Sequence, residues 1–189
     1  MSVPRLGPAA AHVAAITFSP DASGLAPITR SHVELVAGGL ETFLTGAGTD
    51  TPTLSTIPIG SFAGIALTVI PWLLCGGALH LHHSFDPHAF DAQYRAVTEG
   101  TVILPAVAVA ALAECGATFD HAGRTVVALW RAPERVSGAK AWEGASHLVD
   151  VTSFGETGLI AVRRGRGGLP APIPLGPISS IHRAPGACH

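Results

Sequence analysis

Two kinds of apolar pattern alternate along this chain. Short runs tinged with β-branched residues predict strands: "AHVAAITF" (11–18), "TLSTIPI" (53–59), "TVILP" (101–105), "TVVALW" (125–130), "HLVDVT" (147–152) and "LIAVRR" (159–164), the first and third reading as buried. "ALHLH" (78–82) alternates as a further strand. Longer stretches between them read as helices. Ser31-x-x-Glu34 forms a capping box that opens "HVELVAGGLETFL", which ends near Gly46. A second helix covers about 61–75 and stops at Gly76-Gly77. Asp86 followed by Pro87 opens "PHAFDAQYRAVTE", and "AVAVAALAEC" runs to Gly116. Strands and helices in this alternation define an α/β domain around a largely parallel sheet. The divisions are an N-terminal tail at 1–10, a core at 11–168 and a proline-rich segment from Leu169 to the C-terminus.

Composition narrows the class. The 189 residues suit one domain, and 48% hydrophobic against 13% charged residues leaves ample apolar surface for a core. A net charge of -2 with scattered arginines excludes a nucleic-acid surface, which needs a concentrated basic face. Only "RRGRGG" (163–168) is locally basic, and it reads as a solvated loop. Cys75, Cys115 and Cys188 form neither a disulfide framework nor a CxxC pair, which suits a reducing cytoplasm. The stretch 57–79 is uncharged and long enough to span a bilayer. Pro58, Pro71 and the Gly76-Gly77 pair divide it, so it reads as a buried strand–helix–strand passage instead of a membrane span.

Parallel sheets bind ligands at loops beyond the carboxyl ends of their strands. Two segments qualify. "FSPDASGLAPITRSH" (18–32) reads as a tight turn of phosphate-holding type between a strand and a helix, and "TSFGETG" (152–158) follows a strand. The histidines do not form a metal set: on a strand His80 and His82 share one face while His83 points away, and no Cys or Glu completes the spacing before His88. A Ser–His–Asp hydrolase is excluded by the lack of a G-x-S-x-G elbow.

The order of these segments resembles the central part of an adenylate-forming enzyme, the superfamily of acyl-CoA synthetases, peptide-synthetase adenylation domains and luciferases. "SPDASGLAP" (19–27) with Ser31-His32 stands where that family has its serine- and glycine-rich phosphate loop and a following S-H or T-H. "PIGSFAG" (58–64), "TVILPAVAVAAL" (101–112) and "ALWRAP" (128–133) follow in family order, and "SFGETGLI" (153–160) resembles the adenine motif Y-G-x-T-E. The resemblance spans roughly residues 11 to 178. It implies ATP with Mg²⁺, a small carboxylic acid activated as acyl-adenylate, and CoA or a carrier thiol as acceptor. It places Ser19, Ser23, Gly24 and Thr157 at phosphate, and Phe154 and Gly155 at adenine.

Several positions depart from the family pattern. Asp21 replaces a glycine, where a carboxylate repels phosphate, and the loop has no lysine, leaving Arg30 as a cation of longer reach. Gly158 stands where a Mg²⁺-binding glutamate is expected, with Glu156 two positions away and directed elsewhere. Ser61 replaces a histidine of many relatives, and Trp130-Arg131 replace two glycines. Two readings stay open: an incomplete or impaired adenylating core, or a non-catalytic relative that binds a nucleotide, an acyl compound or another protein. On this placement Phe154→Ala abolishes ATP binding in a calorimetric titration, whereas Glu156→Ala does little.

Overall fold

The computed structural model describes residues 12–22, 24–46, 50–114, 119–131 and 141–170. Both the expected terminal tail at 1–10 and the segment 171–189 lie outside them.

A six-stranded sheet in the order β4-β3-β5-β6-β7-β8 forms the centre. Its strands are β3 (Thr53–Ser55), β4 (Leu79–Leu81), β5 (Gly100–Pro105), β6 (Arg124–Arg131), β7 (His147–Ser153) and β8 (Leu159–Arg164). The first five are parallel, and β8 closes the edge antiparallel to β7. The sheet winds both ways from β3, toward β4 on one side and β5 on the other. Right-handed crossovers in opposite directions must place their helices on opposite faces, and the cores follow that rule. Val102, Leu104, Val126 and Leu148 pack with α4 (Pro87–Ala96) and α5 (Ala106–Glu114) on one face. Ile103, Val127, Val149 and Val151 pack with Ile57, Ala63 and Leu67 on the other.

That second face is covered by a helical run of α2 (Phe62–Gly64), a π-helical segment (Ile65–Val69) and α3 (Ile70–Cys75). Pro71 has no N–H and its ring crowds the preceding turn, and the wide π turn sits immediately before it. Among the described residues no helix is long and apolar enough to cross a membrane. The uncharged 57–79 stretch is this strand end, helix and turn. Beside it, packed against the run and against β6, β7 and β8, lies α1 (His32–Gly46), and here glycine is structurally required. A Cβ on Gly39 would stand 2.0 Å from the Ala66 carbonyl oxygen, and one on Gly38 2.8 Å from the Phe62 ring.

The helix starts follow the sequence closely. Ser31 N–H and Oγ–H both donate to the Glu34 carboxylate at 2.7 and 2.8 Å, and Glu34 N–H returns a bond to Ser31 Oγ. These bonds hold the Glu34 carboxyl below its usual range. Asp86 accepts from Ala89 and His88 N–H, which lowers its carboxyl likewise. At the far end of α4, fully buried Arg124 donates to the carbonyls of Tyr94 and Val97 and lies 4.0 Å over the Tyr94 ring.

The principal departure from the sequence-based expectation lies before α1. The expected strand and helix form, but the loop between them is largely a second strand, so that β1 (Val13–Asp21) and β2 (Gly24–Ser31) make a β-hairpin in a separate two-stranded sheet. Nor is "AHVAAITF" buried: Ile16 and Phe18 are each 56% exposed. The inward face carries Thr17, Ser19 and Arg30 instead. Pro27 concealed the second strand, but in a two-stranded ribbon both strands are edges and a proline costs no ladder bond. The basic "RRGRGG" also differs from expectation. Arg164 is buried and its Nε donates to the Asp150 carboxylate at 2.7 Å, and Trp130 Nε1 donates to the same group at 2.8 Å.

Gly39→Ala is expected to destabilise the protein by about 1–3 kcal/mol, since the clash is with backbone and the helices must separate. Urea denaturation checks this against Gly60→Ala, where an added Cβ meets nothing within 4 Å.

Candidate functional site

A cavity of about 510 Å³ opens where the carboxyl ends of β3, β5, β6 and β7 meet the hairpin. Its position follows from the winding of the sheet. Connections leave β3 and β5 in opposite directions, so no crossover covers the crevice between their ends. Thr56, Ile57 and Pro58 follow β3, Pro105 ends β5, and Leu129 and Ser153 lie near the ends of β6 and β7. Phe18, Ser19 and Pro20 of the hairpin form the opposite wall. The lining is largely apolar with hydroxyls set into it, and its charged members among the described residues are Arg131 and Glu156.

The structure distributes the sequence-assigned residues unevenly. Ser19 of the hairpin and Gly155 of the turn after β7 both line the cavity and meet there, where a Cβ on Gly155 would stand 3.5 Å from Ser19 Oγ. Gly155 has φ +56°, which suits glycine in this turn. Phe154 is half-buried beside it, its N–H donating to the Gly158 carbonyl at 2.9 Å, and is not among the lining residues. Thr157 is exposed and its hydroxyl donates to the Phe154 carbonyl, so it closes its own turn. Gly24 sits at the hairpin end with φ +132° and open space around it. Ser23 lies outside the described residues.

Glu156 is among the lining residues, and its carboxylate is directed to α2, where it accepts the Phe62 N–H at 2.7 Å. Ser61, in the place of a histidine, caps the same helix through the Gly64 N–H at 3.0 Å. Arg30 is 8% exposed, donates from one nitrogen to the Glu156 and Thr157 carbonyls at 2.6 and 2.7 Å, and stacks 3.6 Å over the Phe62 ring. No sequence motif singled out this joint between Arg30, Phe62 and Glu156. Its members are 94 and 126 residues apart along the chain.

The described residues do not fit a resident magnesium ion. Magnesium favours octahedral oxygen ligation, and no group of three carboxylate, histidine or cysteine side chains converges among them. The carboxylate at the cavity is already engaged by a backbone N–H. The histidine segment behaves likewise: His80 bonds Gln93 at 2.6 Å and His82 packs edge-on against Phe90.

Solved structures share this fold. O-Succinylbenzoate coenzyme A synthetase (MenE) from Bacillus subtilis, in complex with ATP and magnesium, matches with a TM-score of 0.63 at 11% identity over 82% of this chain. The NpsA N-terminal subdomain from Klebsiella oxytoca, in complex with 3-hydroxybenzoyl-AMSN, matches with a TM-score of 0.55 at 15% identity over 79% of this chain. The matched regions are 33% of the MenE chain and 40% of the NpsA chain. No family model matches the sequence, and no curated protein matches it. The chain thus has the fold of part of an adenylate-forming enzyme.

Glu156→Ala leaves the Phe62 N–H without its partner in a half-buried place. A loss of about 1–3 kcal/mol is expected in chemical denaturation.

Proposed function

We propose that this chain is an adenylate-forming-type core whose cavity binds an adenine nucleotide and a small carboxylic acid, and that it acts as a binding module without efficient adenylation. The supporting observation is that Ser19 and Gly155, far apart in the chain, come together in the lining of the cavity at the switch in strand order. These are two positions that the family resemblance assigns to phosphate and adenine. In this reading Ser19 donates to a phosphate oxygen, Gly155 admits the nucleotide close to the backbone, and Phe154 flanks the base. The apolar lining from Ile57, Pro105 and Leu129 holds the acid and excludes water. ATP, when bound, would supply the adenylyl group that makes a carboxylate reactive, with pyrophosphate as the leaving group, and its magnesium would enter with it.

The chemistry of the hairpin favours the binding half of the proposal. Phosphoryl-type transition states need positive charge placed where negative charge accumulates. The hairpin has an aspartate, Asp21, and no lysine, and the chain's single lysine is Lys140. Arg30 is turned onto the carbonyls of Glu156 and Thr157.

Titration calorimetry of the purified protein with ATP and Mg²⁺, and with AMP, tests this reading. Saturable binding of micromolar to low-millimolar strength, with no acid-dependent pyrophosphate exchange, is the expected outcome. Ser19→Phe fills the wall and is expected to weaken binding at least about tenfold, some 1.4 kcal/mol, without lowering the melting temperature. Absence of heat at several millimolar nucleotide overturns the nucleotide site. Rapid exchange overturns the non-catalytic half.

A further inference from the structure

The two walls of the cavity come from segments far apart in sequence, and Arg30 ties them together. We propose that Arg30 is a positioning residue: a latch that fixes the Phe154–Gly158 turn against the hairpin and so sets the width of the cavity for its ligand. This rests on the reading of the cavity as a ligand site.

The geometry is a closed ring of contacts among three elements. Arg30 on β2 donates to the Glu156 and Thr157 carbonyls in the turn between β7 and β8. Its guanidinium lies flat over Phe62, the first residue of α2. The Phe62 N–H donates back to the Glu156 carboxylate. A guanidinium suits this place because it is planar, stacks on a ring and presents two N–H groups from one nitrogen in fixed directions. Burying a cation is costly, and an aliphatic side chain would fill the same volume without that cost. What the arginine adds is direction: it orients two consecutive carbonyls, and with them the backbone of Gly155 and Glu156 that lines the cavity. Its Nε has no partner, so its hydrogen bonding is directed at those carbonyls. Ser19, on the strand paired with β2, is carried on the same hairpin and faces Gly155. Moving the turn by a small amount therefore changes the gap between the walls directly.

The test uses the full chain with Arg30→Ala and Arg30→Lys, and AMP as the probe. Amide hydrogen exchange at Phe154 and Thr157 reports the turn without any ligand, and calorimetry reports affinity. Lysine keeps the charge but cannot stack and bond both carbonyls together. Both variants are expected to exchange about tenfold faster at these amides and to bind AMP about tenfold more weakly. Guanidinium chloride at about 20 mM, far below the molar range that unfolds proteins, is expected to restore both properties in Arg30→Ala but not in Arg30→Lys, with sodium chloride as the control. Phe90→Leu, which loosens the core on the opposite face of the sheet, is expected to leave both properties unchanged. Faster exchange with undiminished affinity overturns the proposal, as does an affinity loss with unchanged exchange or without guanidinium rescue. If Arg30→Ala fails to fold, Arg30→Lys carries the same exchange and affinity criteria. If the native chain takes up no AMP, the ligand-site reading fails, and exchange with rescue alone decides whether the latch exists.

Discussion

Three residues of backbone pairing hold the architecture. β3, Thr53–Ser55, is hydrogen-bonded to β4 on one side and to β5 on the other through the same three positions. Its register fixes where the sheet reverses its winding. Side chains and loops reinforce this short strand. Ser55 Oγ receives bonds from Thr68 Oγ1 and the Ile57 N–H, the Thr56 N–H donates to the Ile103 carbonyl, and Gly100 approaches Pro52 so closely that a Cβ would lie 2.1 Å from its carbonyl oxygen. The uncovered crevice beyond Ser55 is a direct consequence, because the connections leaving the carboxyl ends of β3 and β5 depart in opposite directions.

The hairpin gives that crevice its character. Where the resemblance leads one to expect a glycine-rich loop with backbone N–H groups turned toward phosphate, the N–H groups on the facing edges of β1 and β2 donate to carbonyls of the opposite strand. Backbone donors already used in a ladder are not available to an anion. The hydroxyl of Ser19 remains on the inner side, and the arginine of the segment is turned toward neighbouring carbonyls. The segment thus retains a wall and loses much of its grip on charge.

What the sequence disclosed and what it concealed divide along physical lines. β5, β6 and β7 were legible because strands buried on both faces are continuous apolar runs. The starts of α1 and α4 were legible because capping is local, within three residues of Ser31 and Asp86. The second hairpin strand was hidden by Pro27, and the antiparallel direction of β8 follows from the tight turn at Phe154–Gly158, whose bond between Phe154 and Gly158 has no distinct periodicity. Gly38-Gly39 looked like an imperfection in a helix, and only the approach of Ala66 explains it. The roles of Glu156, Arg30 and the Asp150–Arg164 pair depend on partners that no local pattern identifies. At the cavity, Ser19 and Gly155 were legible through an ordered series of motifs, whereas Thr56, Pro105 and Leu129 come from the ends of strands chosen by topology.

The hairpin also bears on how the molecule behaves in concentrated solution. Ile16, Phe18 and Leu25, the last 69% exposed, stand on a ribbon whose strands pair only with each other. Apolar side chains beside unpaired backbone edges are the features through which chains adhere to one another while being made and concentrated. A polar residue at Leu25 removes the most exposed of these side chains without touching the cavity.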